Sequence, residues 1–218
     1  MSPRSLAHGA ARFGIVGSAL VAVLLATSSA RARDHRHEDD DTEVAHEGVY
    51  IRLSLGPGAA FGTLRHANGS GSATAHGRGF GLQLAGGSTV SEGIVGGGML
   101  SLLAAPAEDV GTLNFSVIGP FVDVYPDDLE GLHFGVMAGY ATASMGQNTG
   151  GAKGIGGVGW GGYDFWIGDT WSFGVQAQVH AGTLHGNGET FGPLSDPLTF
   201  GSASLVLGGS LQLSLLYQ

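Results

Sequence analysis

The chain has 218 residues, with 41 Gly, no Cys, 43% hydrophobic and 12% charged residues, which excludes disulfide-stapled, collagen-like and coiled-coil architectures. Nine basic residues stand against 18 acidic ones, a net charge of −9, so no basic face is available to neutralise phosphates and a nucleic-acid binder is excluded. Apolar residues are plentiful and Pro is scarce, which also argues against a disordered chain.

Arg4, His8 and Arg12 precede the apolar run Ile15 to Ala26, which is followed by small residues and Ala30-Arg31-Ala32. This order predicts a secretory signal peptide over residues 1–32, cleaved after Ala32, because the apolar run is shorter than the roughly 20 residues a spanning helix needs. The alternative is a retained anchor; with no Cys, a lipid anchor at the cleavage site is excluded. Cleavage leaves 6 basic and 18 acidic residues, a net charge of −12. Seven of those acids lie in residues 33–47 with His35, His37 and His46, in a tract with no apolar period. It reads as a solvated, disordered periplasmic tail. Its imidazoles and carboxylates could capture divalent cations weakly, but no fixed ligand spacing is present, so neither a metal site nor a cofactor is predicted.

From Gly48 onward the chain alternates with period two, the signal of strands with two unlike faces. Val49, Ile51, Leu53 and Leu55 oppose Tyr50, Arg52, Ser54 and Gly56. Phe80, Leu82 and Leu84 oppose Gly81, Gln83 and Ala85, and Leu132, Phe134, Val136, Ala138 and Tyr140 oppose His133, Gly135, Met137 and Gly139. Trp171, Phe173, Val175, Ala177 and Val179 oppose Ser172, Gly174, Gln176, Gln178 and His180, and Leu205, Leu207, Leu211, Leu213, Leu215 and Tyr217 oppose Val206, Gly208, Ser210, Gln212 and Ser214. The stretches 94–103, 112–125 and 158–166 alternate less cleanly; the middle one changes face near Gly119-Pro120, as a bulge would cause.

Eight strands result. The spacers, roughly 62–76, 88–92, 104–111, 126–131, 143–155, 167–170 and 182–198, alternate strictly between longer and shorter. An even strand count with tight turns at one end and long loops at the other predicts an all-β, eight-stranded, antiparallel up-and-down transmembrane β-barrel over residues 48–218. A soluble barrel or sandwich would need a charged skin, yet residues 48–218 hold only four Lys and Arg and 11 acids. The apolar face is therefore expected to meet lipid and the small polar face to fill the interior, with every backbone amide paired by closure. Tyr125, Trp166, Trp171 and Tyr217 fall at strand ends beside short turns or the terminus and are expected to form an interfacial aromatic girdle.

These features resemble the small eight-stranded outer-membrane barrels of Gram-negative bacteria, the OmpA and OmpX-like group. The resemblance covers Gly48 to Gln218 and includes the aromatic hairpin Gly162 to Val179. It also includes a final strand, Leu211, Leu213, Leu215 and Tyr217, similar to the signal read by the barrel-assembly machinery, although the chain ends in Gln218 and not an aromatic. It implies a bacterial outer-membrane location, with outer-membrane lipid and the assembly machinery as partners, the amino terminus and short turns in the periplasm, and the long loops outside, where their ligands are unknown. A shared fold implies no shared activity.

Inside such a barrel, Arg52 is expected to pair with Asp123 or Asp164 as a structural plug, with His133 and His180 as further lumen groups. A lipid hydrolase would need a nucleophile, a base and an orienting carboxylate; His180, Ser202 or Ser204, and Glu189 are the candidates. No family signature surrounds them, so a lumen histidine without catalytic duty is the simpler reading. Gly157, Gly159 and Gly162 spell G-x-G-x-x-G, but no helix follows and no acid lies about 20 positions on, and Gly150 to Lys153 lacks the P-loop spacing. The sequence reading is a monomeric outer-membrane barrel with a structural or surface-interaction role and no catalysis. A lipid-hydrolysing barrel is the first alternative and a narrow pore the second.

Overall fold

The computed structural model describes residues 48–67, 71–107, 111–126, 131–146, 151–186, 188, 190–191 and 197–218. The expected signal peptide, the tail with His35, His37 and His46, and Glu189 lie outside these residues.

The alternating segments are strands: β1 (Val49–His66), β2 (Ser72–Ser91), β3 (Ile94–Ala107), β4 (Gly111–Val124), β5 (Leu132–Met145), β6 (Gly151–Ile167), β7 (Trp171–Gly186) and β10 (Ser204–Tyr217), with two-residue strands β8 (Thr190–Phe191) and β9 (Leu198–Thr199) before the last. Each long strand pairs antiparallel with the next, β7 with β10 and β10 with β1, so eight strands form a closed, edgeless ring. The β8–β9 ribbon extends the sheet above the end of β1, through Arg65↔Thr199 and His66↔Leu198.

Register fixes the tilt. Following paired residues from Tyr50 through Gly87, Gly97, Phe121, Met137, Val158, His180 and Gly208 returns to β1 at Ala60, ten residues further along. A slip of ten residues at about 3.3 Å around eight strands about 4.8 Å apart tilts the strands by about 40°. On β1 the outward apolar residues run from Val49 to Phe61; this stretch is about 40 Å along the strand and about 30 Å along the barrel axis, the thickness of a bilayer's hydrocarbon core.

Val49 and Tyr217 lie at the end that carries the connections 92–93, 125–131 and 168–170. Gly93 and Gly168, at φ 65° and 77°, supply the left-handed conformation these reversals need. The opposite end carries 67–71, 108–110, 146–150 and 187–203. The strict alternation of long and short spacers does not hold: 108–110 is shorter than 125–131. The strands run on through stretches expected to be loops, since β2 starts at Ser72 and β6 at Gly151. Beyond the outward apolar belt a ladder needs only backbone hydrogen bonds, so small and polar residues extend it without the alternation that announced it.

No bulge interrupts β4. Its pairing with β3 continues through Met99↔Gly119 and Gly98↔Pro120, and the register shift of this sheet lies at Thr89/Ser91, between β2 and β3. What changes along β4 is chemistry. In the lower half Ile118, Pro120, Val122 and Val124 face out and Asp123 faces in; in the upper half Leu113, Phe115 and Val117 are buried inside while Thr112, Asn114 and Ser116 face out. The inversion is general. Leu64, Leu103, Met145, Leu184 and Val206 fill the upper interior, beneath an outer surface that includes Thr63, Arg65, Thr142, Lys153, Thr183 and His185. The expected interior of small polar groups holds only in part even in the lower half, where Val95, Phe121, Trp160 and Leu216 are buried beside Arg52 and Asp123. The upper half has a hydrophobic core inside a more polar outer surface.

Candidate functional site: the barrel lumen

Three layers of side chains fill the bore. The lowest is organised by Arg52, carried inward on β1 and fully buried. Its Nη1 donates to Asp123 Oδ2 at 2.9 Å and its Nη2 to Asp164 Oδ2 at 2.6 Å. Nη2 also donates to Tyr125 Oη at 2.6 Å, and that hydroxyl donates on to Asp164 Oδ2 at 3.0 Å. Asp123 accepts further bonds from Tyr50 Oη (3.1 Å) and Trp160 Nε1 (3.1 Å), with His133 Nδ1 3.1 Å from its Oδ1. Ser214 Oγ donates to Asp164 Oδ1 at 3.3 Å, and the Tyr125 and His133 rings stack 5.3 Å apart. Two carboxylates share one guanidinium, and hydroxyl, indole and imidazole groups solvate what the cation does not reach, which is how a low-dielectric site tolerates ionised groups.

The middle layer is built from amides. Gln83 Oε1 accepts from Gln176 Nε2 and from Gln178 Nε2; Gln176 Nε2 also lies 3.3 Å from Gln212 Oε1, and Gln212 Nε2 donates to Ser210 Oγ at 3.0 Å. Above it His180 Nε2 meets Ser101 Oγ at 2.9 Å, and the edge of the Phe115 ring packs at 88° to the imidazole, 6.4 Å between centroids. Phe115 and Leu103 then begin the apolar layer. Ionic, amide and hydrocarbon barriers thus stand in series along the bore. The charged groups pair with one another and are buried, while Arg52 Nε has no hydrogen-bond partner among the described residues.

The hydrolase candidates are not brought together. Ser204 pairs with Leu184, four residues beyond His180 on β7, an offset of about 13 Å along the strand. Its Oγ accepts the Gly201 amide hydrogen at 2.9 Å, and Ser202 is exposed at the bend before β10. The serine that meets His180 is Ser101 on β3, 79 residues away in sequence; period-two reading put His180 inside but assigned no face to 94–103 and carried no information about which strands face each other across the bore. Among the described residues no group of His, Asp and Glu is arranged to hold a metal ion.

Two of the four expected girdle aromatics point the other way. Trp171 and Tyr217 are exposed and meet edge-on, centroids 5.1 Å apart. Tyr125 is buried in the Arg52 layer, and Trp166 lies on the inward face two residues after Asp164. Position at a strand end misled where the alternation did not: counted from Asp123 and Asp164, residues 125 and 166 fall inward. On the first strand of the hairpin the outward aromatics are Tyr163 and Phe165, in contact at 4.8 Å.

No protein-family model and no curated protein sequence matches the chain. Among solved structures, the chain is similar to the outer membrane protein AlkL in lipid bilayers, at 14% identity and a TM-score of 0.45 over 85% of this chain and 97% of that one. It is also similar to Neisserial surface protein A, at 12% identity and a TM-score of 0.44 over 78% of this chain and 99% of that one. A third similarity is to the outer membrane protein OprG of Pseudomonas aeruginosa, at 8% identity and a TM-score of 0.42 over 80% of this chain and 97% of that one.

Proposed function

We propose that the mature chain is a monomeric integral barrel of the bacterial outer membrane, with a structural or surface-interaction role and no catalytic one. The observation that carries the reading is the outward belt. Exposed Leu, Val, Ile and Phe side chains encircle the lower barrel while Arg52, Asp123 and Asp164 are buried inside it. In water this arrangement would be inverted at large cost, whereas in lipid both faces find their proper surroundings. On this reading the amino terminus and the connections 92–93, 125–131 and 168–170 lie in the periplasm and the upper half projects beyond the outer leaflet; the extension of the strands past the belt at that upper end supports it. The run Leu211, Leu213, Leu215, Tyr217 serves as the strand read by the assembly machinery. A plugged bore leaves the projecting strands and their connections as the functional surface, and no nucleophile, base and carboxylate are assembled among the described residues to support lipid hydrolysis.

Membrane fractionation combined with heat-shift electrophoresis tests this. The protein is expected in the outer-membrane fraction and to migrate as a compact species until boiled. Recovery of the mature chain from the soluble periplasm would overturn the reading.

A further inference from the structure

Pro57, Pro106 and Pro120 lie within the long strands, and each interrupts one ladder. Proline has no amide hydrogen to give an opposing strand, and a closed ring offers no edge strand on which that loss is harmless. Between β1 and β10 the pairing runs to Leu55↔Leu213 and resumes at Gly58↔Ser210, which leaves Gly56 and Pro57 unpaired opposite Gln212 and Leu211. Between β4 and β5 it runs to Ile118↔Tyr140 and resumes at Phe121↔Met137, which leaves Gly119 and Pro120 unpaired opposite Gly139 and Ala138. On its other side each proline is paired, Pro57 with Phe80 and Pro120 with Gly98, so each gap lies where the missing hydrogen would have pointed. Pro106 breaks the β2–β3 ladder in the same way, but near its end, between Gly77↔Ala107 and Phe80↔Ala104; that ladder also shifts register at Thr89/Ser91.

Pro57 stands between the exposed Leu55 and Phe61, and Pro120 between the exposed Ile118 and Val122, so both gaps fall inside the apolar belt. In lipid no water replaces the lost donors. Around the ring the two seams are opposite one another and divide it into β1–β4 on one side and β5, β6, β7 and β10 on the other. The ladders β1–β2, β3–β4, β5–β6, β6–β7 and β7–β10 run without a gap. Inside the bore, each polar layer is bonded across from one half to the other. Arg52 meets Asp164 at 2.6 Å and Asp123 meets Trp160 at 3.1 Å; above them Gln83 accepts from Gln176 and Gln178, and Ser101 meets His180 at 2.9 Å. We propose that the barrel is built as two half-shells whose wall opens locally along the β1–β10 and β4–β5 seams, with the bonds across the bore, Arg52 to Asp164 first among them, as the clasp that holds both seams shut. Local opening follows the stretches with fewest ladder bonds, and the clasp joins the same two halves that those stretches leave weakly joined. The proposal rests on the membrane reading for the dryness of the seams.

Amide hydrogen exchange, resolved by residue with NMR on the full mature chain in lipid nanodiscs, tests this. Amide directions alternate along a strand, so Leu55 and Ala59 point across the first seam as Pro57 does, and Ile118 and Val122 across the second. Their exchange is expected to be at least about fivefold faster than that of Gly159 and Val179, which pair with each other on the gapless β6–β7 ladder. Pro57→Ala and Pro120→Ala restore the missing hydrogens, and each is expected to slow exchange at its own seam alone. Asp164→Asn is expected to quicken both seams at least about threefold and the β6–β7 ladder less than about twofold. Ser101→Ala, which removes one neutral bond of the clasp, is read in the same way, so the outcome does not depend on a variant of the charged layer folding. Uniform exchange along the belt, alanine variants without effect, or clasp variants that quicken all ladders alike would each overturn the proposal. Heat-shifted migration of every variant shows that the barrel is intact. A heat-shifted membrane barrel with uniform exchange defeats this inference and leaves the membrane reading standing.

Discussion

Arg52 shows how a single side chain organises the lower barrel. Its two carboxylate partners lie 71 and 112 residues away, so the cluster ties β1 to β4 and β6 across the bore. Removing only the cation leaves two buried carboxylates uncompensated, and Arg52→Leu is expected to destabilise the barrel by about 3–5 kcal/mol. The triple variant Arg52→Leu, Asp123→Asn, Asp164→Asn should recover much of that loss, because neutral amides need no counter-charge. Urea unfolding in lipid vesicles, followed by tryptophan emission, reads both. Gly174 guards the same cluster: a Cβ there would come within 2.2 Å of Asp164 Oδ1 and 2.6 Å of Ser214 Oγ. Gly174→Val is therefore expected to lower the unfolding midpoint in the same assay. Arg52, Asp123 and Asp164 are legible in the sequence because each is a charge embedded in apolar alternation. Tyr50, Trp160 and the glutamine layer are not, because their importance comes from which strands face one another.

At the scale of one element, β4 holds the clearest lesson. A strand in a uniform membrane barrel keeps the same chemistry on each face, but β4 exchanges its two faces at Ile118 without losing register. A sequence reader sees the apolar residues shift from one parity to the other and infers a bulge; the backbone instead keeps its parity while the apolar side chains pass from its outward to its inward face. Position along the strand should then decide the effect of an outward charge. Val122→Arg is expected to cost about 2–4 kcal/mol and Asn114→Arg about 0–1 kcal/mol, both measured as shifts in vesicle unfolding free energy. Inward, Phe115→Ala should cost about 3–5 kcal/mol, as expected for emptying a packed core, although the same strand carries a buried Asp123 eight residues later.

For the whole molecule, closure and slip combine to set both shape and permeability. A ring of eight strands has a bore that side chains nearly fill, and here the Arg52, glutamine and Phe115 layers occupy it at successive heights. In planar bilayers the purified protein is expected to show no discrete conductance steps; steady openings would show that the layers part under a field. The upper half, polar outside and apolar inside, should fold as a rigid platform for the loop-end connections, since its core needs no lipid. Hydrogen exchange is expected to show the amides of Leu103, Leu113 and Leu184 protected as strongly as those of the lower belt.

The sequence by itself determined the eight long strands, their antiparallel order and the parity of those with clean alternation, because alternation is a local property written into adjacent residues. It also determined that the lower exterior is apolar, since residues 48–218 carry too little charge for any other. Only the tertiary structure decided that Ser101 and not Ser204 meets His180, that Tyr125 and Trp166 turn inward, and that the interior becomes hydrocarbon above Ile118. Each of these depends on the ten-residue slip around the ring, which is a sum of long-range pairings. It sets which residues share a height in the bore.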